Sequence, residues 1–381
     1  MIRLDRFQKR ESTRKGKALL IGILTFMLPA LPALTMLTSC SNPATDTAPP
    51  PPAVPQLAKE LIYYDWPDDI PQSVFDAFTA EYGVKVTYLT YASTEEADKN
   101  IRAGRLYDVV NLENEFVPRL VADGLLAEID YHNVPNFKNI GANFRDLTVD
   151  PGNRHMVPFT WGTVGLVVRG DLVQTPVRHW LDLWNQDHAG HLLAWNSQRT
   201  LVGIALKSLG YSINSENPAE LDAALARLLE LKKIASLEDY STATTISSLT
   251  SGGIVMMYGW ANDAMLARAQ NDTIIYVLPE EGPILWGDHF TIPANSPRKY
   301  TAEVFINFML RPEISAQIPN LNNYATTNDA ARPFIDPKIL NDPIVYPPQE
   351  AVRNGEIIMP LSPEGDKLHK EIWARFLAAD K

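Results

Sequence analysis

The stretch GPILWGDHFTIPAN, Gly282 to Asn295, sets Trp286 and Asp288 two positions apart, with only Gly287 between them. An indole face attracts an ammonium group, and a carboxylate pairs with it. Two readings fit this segment. It is the wall of a ligand cleft where the chain crosses between two lobes, or it is a strand end with one core Trp and one solvated Asp. Further acids follow strand-like runs. Trp66-Pro67-Asp68-Asp69 comes after LIYYD, and Glu113-Asn114-Glu115 comes after YDVVNL. Ligands of open parallel sheets sit outside the carboxyl ends of strands. The same acids also suit helix N-termini, where the dipole favours carboxylates.

Motifs for catalysis and cofactors are sparse. The chain contains no GxGxxG, no P-loop, no GxSxG and no HExxH. Ser296 and Lys299 match SxxK, but Pro297 opposes the helix start that motif needs. His188 and His191 have the spacing of metal ligands on a helix. Their surroundings, DHAGH, include Gly190 and read as a loop, with no third ligand nearby. Cys40 is the only Cys, so the rest of the chain has neither thiol catalysis nor a disulfide. Carboxylates acting alone, as in a glycosidase, are the enzymatic alternative. The reading adopted is a non-enzyme without metal or cofactor.

The amino terminus explains Cys40. Residues 1–17 are basic, with Arg3, Arg6, Lys9, Arg10, Arg14, Lys15 and Lys17 against Asp5 and Glu11. An apolar run from Ala18 to Leu37 follows, interrupted by Pro29 and Pro32. A basic region followed by an apolar one reads as a secretory signal, and the prolines oppose a stable spanning helix. Leu37-Thr38-Ser39-Cys40 resembles a bacterial lipobox, which predicts residues 1–40 as a lipoprotein signal with Cys40 acylated. Acyl chains anchor at about 0.8 kcal/mol per buried CH₂. Residues 41–59 are Pro-rich, with consecutive prolines at Pro49–Pro52, and read as an extended stalk. The expected location is outside the cytoplasmic membrane.

The whole chain has 381 residues and a net charge of −11; loss of residues 1–40 takes it to about −16. An acidic chain is a poor binder of nucleic acid and is compatible with cationic ligands. Beyond the stalk there is enough chain for two lobes. Leu61–Trp66 reads as a buried strand, and a helix runs from Pro71 to its stop at Gly83. Val84–Tyr91 and Tyr107–Leu112 read as further strands, giving an open parallel sheet. Pro158–Arg169 is a strand whose Gly162 and Gly165 let the chain change lobes. Helices over Thr200–Leu209 and Leu221–Lys233, then strands over Gly253–Trp260 and Ile274–Leu278, repeat the α/β pattern. Ala302–Leu310 is a helix stopped by Pro312.

Several stretches together resemble the periplasmic spermidine/putrescine-binding proteins, the solute-binding components of ABC importers. They are IYYDW (62–66), YDVV (107–110), WGTVGLVVRGD (161–171), LGY (209–211), ILWGDHFTIPAN (284–295), FINFMLRPE (305–313) and NYATTN (323–328). The resemblance runs in order from about residue 60 to 360. It implies an α/β, two-lobed periplasmic-binding-protein-like fold of type II with the ligand cleft between lobes. Lobe 1 would take residues 60–160 and about 287–330; lobe 2 would take 161–286 and about 331–381. The implied ligand positions are Trp66, Asp68, Trp286, Asp288 and Tyr324. Tyr258 stands where the family usually has Trp, with Trp260 two residues on. Two acids of the family fall on Asn196 and Thr200 here, whereas Glu113 and Glu115 stand where the family usually has Ser and Tyr. Acids relocated across the cleft would keep a cationic ligand. The implied partners are a polyamine or other small amine, permease subunits of an ABC transporter and the membrane through the lipid anchor, with the chain a monomer. The same fold serves other solutes, among them amino-acid-like compounds, phosphonates, thiamine and ferric iron.

Overall fold

The computed structural model describes residues 55–380. Cys40, its lipobox and residues 41–54 of the Pro-rich stalk lie outside the described residues. Among the described residues no helix is long and apolar enough to cross a membrane.

The strands are β1 (Glu60–Asp65), β2 (Lys85–Thr90), β3 (Val109–Glu113), β4 (Met156–Arg169), β5 (Leu192–Trp195), β6 (Ala235–Glu238), β7 (Met256–Trp260), β8 (Ile274–Val277), β9 (Ile284–Thr291), β10 (Ala325–Thr326) and β11 (Glu356–Ile357). They join in one sheet whose main path is β2-β1-β3-β9-β4-β7-β5-β6. The expected parallel pairing holds at both ends. β1 runs parallel to β2 and β3, and β5 runs parallel to β6 and β7. The centre is antiparallel: β9 opposes both β3 and β4, and β4 also opposes β7 and β8. The sheet is therefore mixed, because the strands entering and leaving its middle run against their neighbours.

Local sequence accounts for the flanking elements. The helix Gln72–Tyr82 begins after Pro71, whose extended backbone suits an entry position, and buries Val74, Phe75 and Phe78. It ends at Gly83, where φ of +67° calls for glycine. β3 is buried along almost its whole length, as expected for a strand covered on both faces.

The described residues bury separate cores. One is built around Tyr63, Phe75, Phe78, Phe290, Phe305 and Phe308, with a neighbouring cluster at Tyr64, Val110 and Leu112. Another is built around Trp180, Leu193, Trp195, Leu206, Leu228 and Tyr258. β4 serves both: Val157 and Phe159 pack in the first core, Val164 to Val168 in the second. β9 does the same in reverse, from Ile284 in the second core to Phe290 in the first. These antiparallel crossing strands carry Trp286 and Asp288 midway, so both residues sit where the lobes meet.

Candidate binding cleft

The carboxyl end of β1 is fixed by a buried acid. Asp65 is fully buried and accepts from the Trp66 backbone amide at 2.8 Å, from Asn111 Nδ2 at 2.7 Å and from the Tyr63 hydroxyl. Burial pushes its carboxyl up to about 7, against those hydrogen bonds. Asp65 thereby ties β1 to β3 and sets the direction of Trp66. The Trp66 ring is half-buried, edge-on to Tyr91 at 4.8 Å. The next residues turn sharply. Asp68 is exposed and holds φ of +63°, and the turn sends Asp69 back inward to 6 % exposure. Burial raises the Asp69 carboxyl well above the usual range, and Asp65 and Asp68 raise it further. The inward acid of this turn is thus Asp69, where the sequence pointed to Asp68.

β9 supplies the floor. Trp286 lies opposite Gly162 in the β4–β9 ladder, and its indole sits edge-on to Tyr324 at 5.3 Å. Its Nε1 is buried without a hydrogen-bond partner. Two residues on, Asp288 is 4 % exposed and its Oδ1 also lacks a partner. The Asp288 carboxyl is raised far above the usual range by burial, then by Asp69 and Asp65. On its other side stands Glu113, directly opposite in the β3–β9 register. Burial, Glu115, Asp288 and Glu95 all raise the half-buried Glu113 carboxyl. Glu115 differs. Burial lifts it to about 7, while Arg199 from the other lobe and Arg119 hold it back. The resulting row of carboxyls Asp69, Asp288 and Glu113 has no cation among the groups shaping its charge.

The second lobe brings its own acid. Asp263, in the first turn of the helix Ala261–Gln270, is fully buried. Tyr240 donates its hydroxyl to the carboxylate at 3.0 Å, and burial pushes Asp263 up to about 6. Tyr240 is edge-on to Trp260 at 4.7 Å and to Trp195 at 5.4 Å. Asn262 donates to the Tyr324 hydroxyl at 3.0 Å, which links this helix to the loop before β10. Tyr324 is the meeting point. After burial, its hydroxyl is affected by Asp69, Tyr240, Asp263 and Asp288 together, so acids from both lobes converge on it.

Among the residues expected at the site, Glu113 and Asp288 pair across β3 and β9, Trp286 meets Tyr324, Trp66 packs on Tyr91, and Trp260 meets Tyr240. Glu115 feels the charge of Arg199. Tyr258 requires correction. It is fully buried in the second core, and its hydroxyl is committed to the Trp195 carbonyl at 3.0 Å. Tyr258 shares a face with Trp260 but lies two residues inside the end of β7, where the core covers it. Asp69 was named only as one of the acids after the first strand, and Tyr240, Asn262 and Asp263 were not singled out from the sequence. Asp263 carries the signal that drew attention to Glu113, an acid just beyond the carboxyl end of a strand. At the positions of the missing acids, exposed Asn196 donates to Asp239 Oδ1 at 2.9 Å, and Thr200 is buried against Ser197. His188 and His191 join no metal site, and no metal-ligating cluster occurs among the described residues.

Residues 73–347 match the bacterial extracellular solute-binding protein family. The chain belongs to that family. The binding protein is 33% identical over 300 residues to the spermidine/putrescine-binding periplasmic protein of Escherichia coli K12, covering 78% of this chain and 85% of that one. It is 30% identical over 363 residues to the putrescine/agmatine-binding protein of Pseudomonas aeruginosa, covering 90% and 97%. Among solved structures it is similar to the spermidine/putrescine substrate-binding protein PotD of Streptococcus pneumoniae, with a TM-score of 0.76, 27% identity and coverage of 84% and 99%. A spermidine/putrescine transporter protein of Listeria monocytogenes gives a TM-score of 0.77 at 27% identity, again covering 84% and 99%. The binding protein therefore shares the two-lobed architecture of these relatives.

Proposed function

We propose that this chain captures a polyamine outside the cytoplasmic membrane and hands it to the permease of an ABC importer. The observation that carries this reading is the row of buried Asp69, buried Asp288 and half-buried Glu113, with no cation among the groups shaping its charge and with Trp66, Trp286 and Tyr324 nearby. Buried acids without countercharge are costly unless something cationic completes them. Aromatic faces beside those acids attract ammonium groups at about 0.5–1 kcal/mol each when exposed and more when desolvated. The curated relatives named for spermidine, putrescine and agmatine support the same ligand class.

In this reading the lobe containing β1–β3 and the lobe containing β5–β7 close over the ligand, with β4 and β9 as crossings. Trp66 and Trp286 stack on the methylene chain and its nitrogens. Asp288, Asp69 and Asp263 pair with the charged ends. Cys40 carries the lipid that tethers the monomer through the Pro-rich stalk. Mass spectrometry of the membrane-extracted protein tests that tether: an unmodified amino terminus upstream of Cys40 would remove it.

A thermal-shift panel on the purified protein tests the ligand. Putrescine, spermidine, spermine and agmatine are set against amino acids, phosphonates, thiamine and ferric iron. The expected result is a concentration-dependent rise in melting temperature with the amines and recovery of each amine unchanged. No rise with any amine would sink the polyamine reading, and consumption of an amine would point to an enzyme.

A further inference from the structure

We propose that the segment from Glu356 to Ser362 is a strap that latches the two lobes around the captured amine, with Met359 as the residue that crosses between them. This rests on the polyamine reading above and adds the residues that hold the closed arrangement. The edge of β9 that faces away from β4 serves both lobes. It pairs with β11 at Ile284 and Leu285 and with β3 from Asp288 to Thr291. Between them, Trp286 and Gly287 have no strand partner on that edge among the described residues. A gap in strand pairing between two cores is where lobes swing about their crossing strands.

The strap spans this gap. Its backbone belongs to the second lobe. Asn214 donates to the Ile357 carbonyl at 2.9 Å and accepts from the Met359 amide at 2.8 Å, as a neighbouring strand would. Arg199 donates to the Met359 carbonyl and to Asn214 Oδ1, both at 3.1 Å, and Glu216 accepts from the Ser362 amide at 2.8 Å. The side chains then part. Ile358 packs against the second core, whereas Met359 packs against the first-lobe cluster of Tyr64, Val110 and Leu112. Every other member of that cluster lies between residues 62 and 156. Farther along, Asp366 in the first turn of the helix Pro363–Ala378 faces Arg119 of the first lobe at 3.8 Å. Val110 and Leu112 point away from the face of β3 that carries Glu113, and Asp288 and Trp286 share the face of Glu113. On that face Asn262 of the second lobe reaches Tyr324. The lobes are thus held together on both faces of the sheet, at Tyr324 on one and at Met359 on the other. A contact made only in the closed state raises its population, and so tightens every ligand that state holds by the same factor.

Titration calorimetry and stopped-flow release of putrescine and of spermidine test the strap in the wild type, Met359→Ala, Met359→Leu and Asn214→Ala. Met359→Ala strips apolar contact from the first-lobe cluster and is expected to weaken both amines by about fivefold or more, with the two factors equal within about twofold. The loss is expected in faster release, with association changed by less than about threefold. Met359→Leu keeps the apolar volume and is expected to stay within about twofold of the wild type. Asn214→Ala frees the strap from the second lobe and is expected to weaken both amines alike. Should Met359→Ala fail to fold, Asn214→Ala decides. Unchanged binding by either alanine variant would overturn the inference. Tighter binding would also overturn it, and would mean that the strap holds the lobes apart. A loss confined to one amine would do the same by making Met359 a ligand contact. Those outcomes leave the polyamine reading intact, whereas no binding of either amine by the wild type overturns both.

Discussion

Gly162 faces Trp286 across the β4–β9 ladder so closely that a Cβ on Gly162 would lie 2.5 Å from the indole Cζ2. The glycine is what lets a large ring lie flat over the crossing strands. Gly162→Ala should push the indole off its seat, because the clashing atoms belong to a rigid ring wedged against Tyr324. The expected cost is about 1–3 kcal/mol of stability from overpacking. Amine affinity should fall by about tenfold or more, since every 1.4 kcal/mol is tenfold. Chemical denaturation and titration calorimetry read these separately. Wild-type affinity in Gly162→Ala would show that the Trp286 position does not matter for binding.

The buried acids set a pH dependence. Asp65 and Glu115 are lifted to about 7 and Asp263 to about 6, in each case mainly by burial. An acid whose pKa rises on folding takes up a proton on folding, between its unfolded value near 4 and its folded value. Its stabilising contribution is complete below about pH 4 and is lost as pH rises through the folded pKa. The ligand-free protein should therefore melt lower at about pH 8 than at about pH 5. A bound polyamine favours the ionised acids and offsets the loss. The melting-temperature gain from saturating spermidine should grow over the same interval, and binding should release protons. Calorimetry in buffers of different ionisation enthalpy counts those protons. A gain that stays flat from about pH 5 to about pH 8 would mean these acids do not titrate against the ligand.

Much of the fold was legible in the sequence because local signals there agree with the tertiary structure. Pro71 and Gly83 bracket a real helix, and the apolar runs of β1, β3 and β4 became strands. The antiparallel centre was not legible, since periodicity reports that a segment is a strand and not which way its neighbour runs. The cleft was legible where a residue type is unusual for its setting, as at Trp286 and Asp288. It was misread where the length of a strand decides. β7 runs on to Trp260, which leaves Tyr258 mid-strand and covered by the core. At Pro67-Asp68-Asp69 the left-handed backbone of Asp68 decides which acid turns inward, and a dihedral angle is not visible in residue order.

The inward Tyr258 gives a control. Its hydroxyl donates to the Trp195 carbonyl inside the second core. Tyr258→Phe removes one of two donors to that carbonyl, which keeps the Ser197 amide at 2.8 Å, so the cost is about 0.5–1.5 kcal/mol in unfolding free energy. Affinity for any amine should stay within about twofold, because the ring contributes to packing and not to the cleft. A clear loss of affinity with unchanged stability would return Tyr258 to the site.

The final comparison sets Asp68 against Asp69, with Asp288 as reference. Asp68 is exposed, so water screens its charge and an ammonium gains little from it. Asp68→Asn is also mild for the backbone, since Asn tolerates the left-handed conformation. Asp69 is 6 % exposed and is one of the charges acting on both Asp288 and Tyr324. Asp69→Asn and Asp288→Asn should each weaken spermidine by about 1–3 kcal/mol, the scale of a hydrogen bond to a charged group. Asp68→Asn should cost less than about 1 kcal/mol. The ligand-free Asp69→Asn protein should melt higher than wild type, because it removes a buried like charge from beside Asp65 and Asp288. Titration calorimetry ranks the variants. A larger loss from Asp68→Asn than from Asp69→Asn would mean that lobe closure rotates this turn and brings Asp68 onto the ligand. Unchanged affinity in Asp288→Asn would take the crossing strands out of the site altogether.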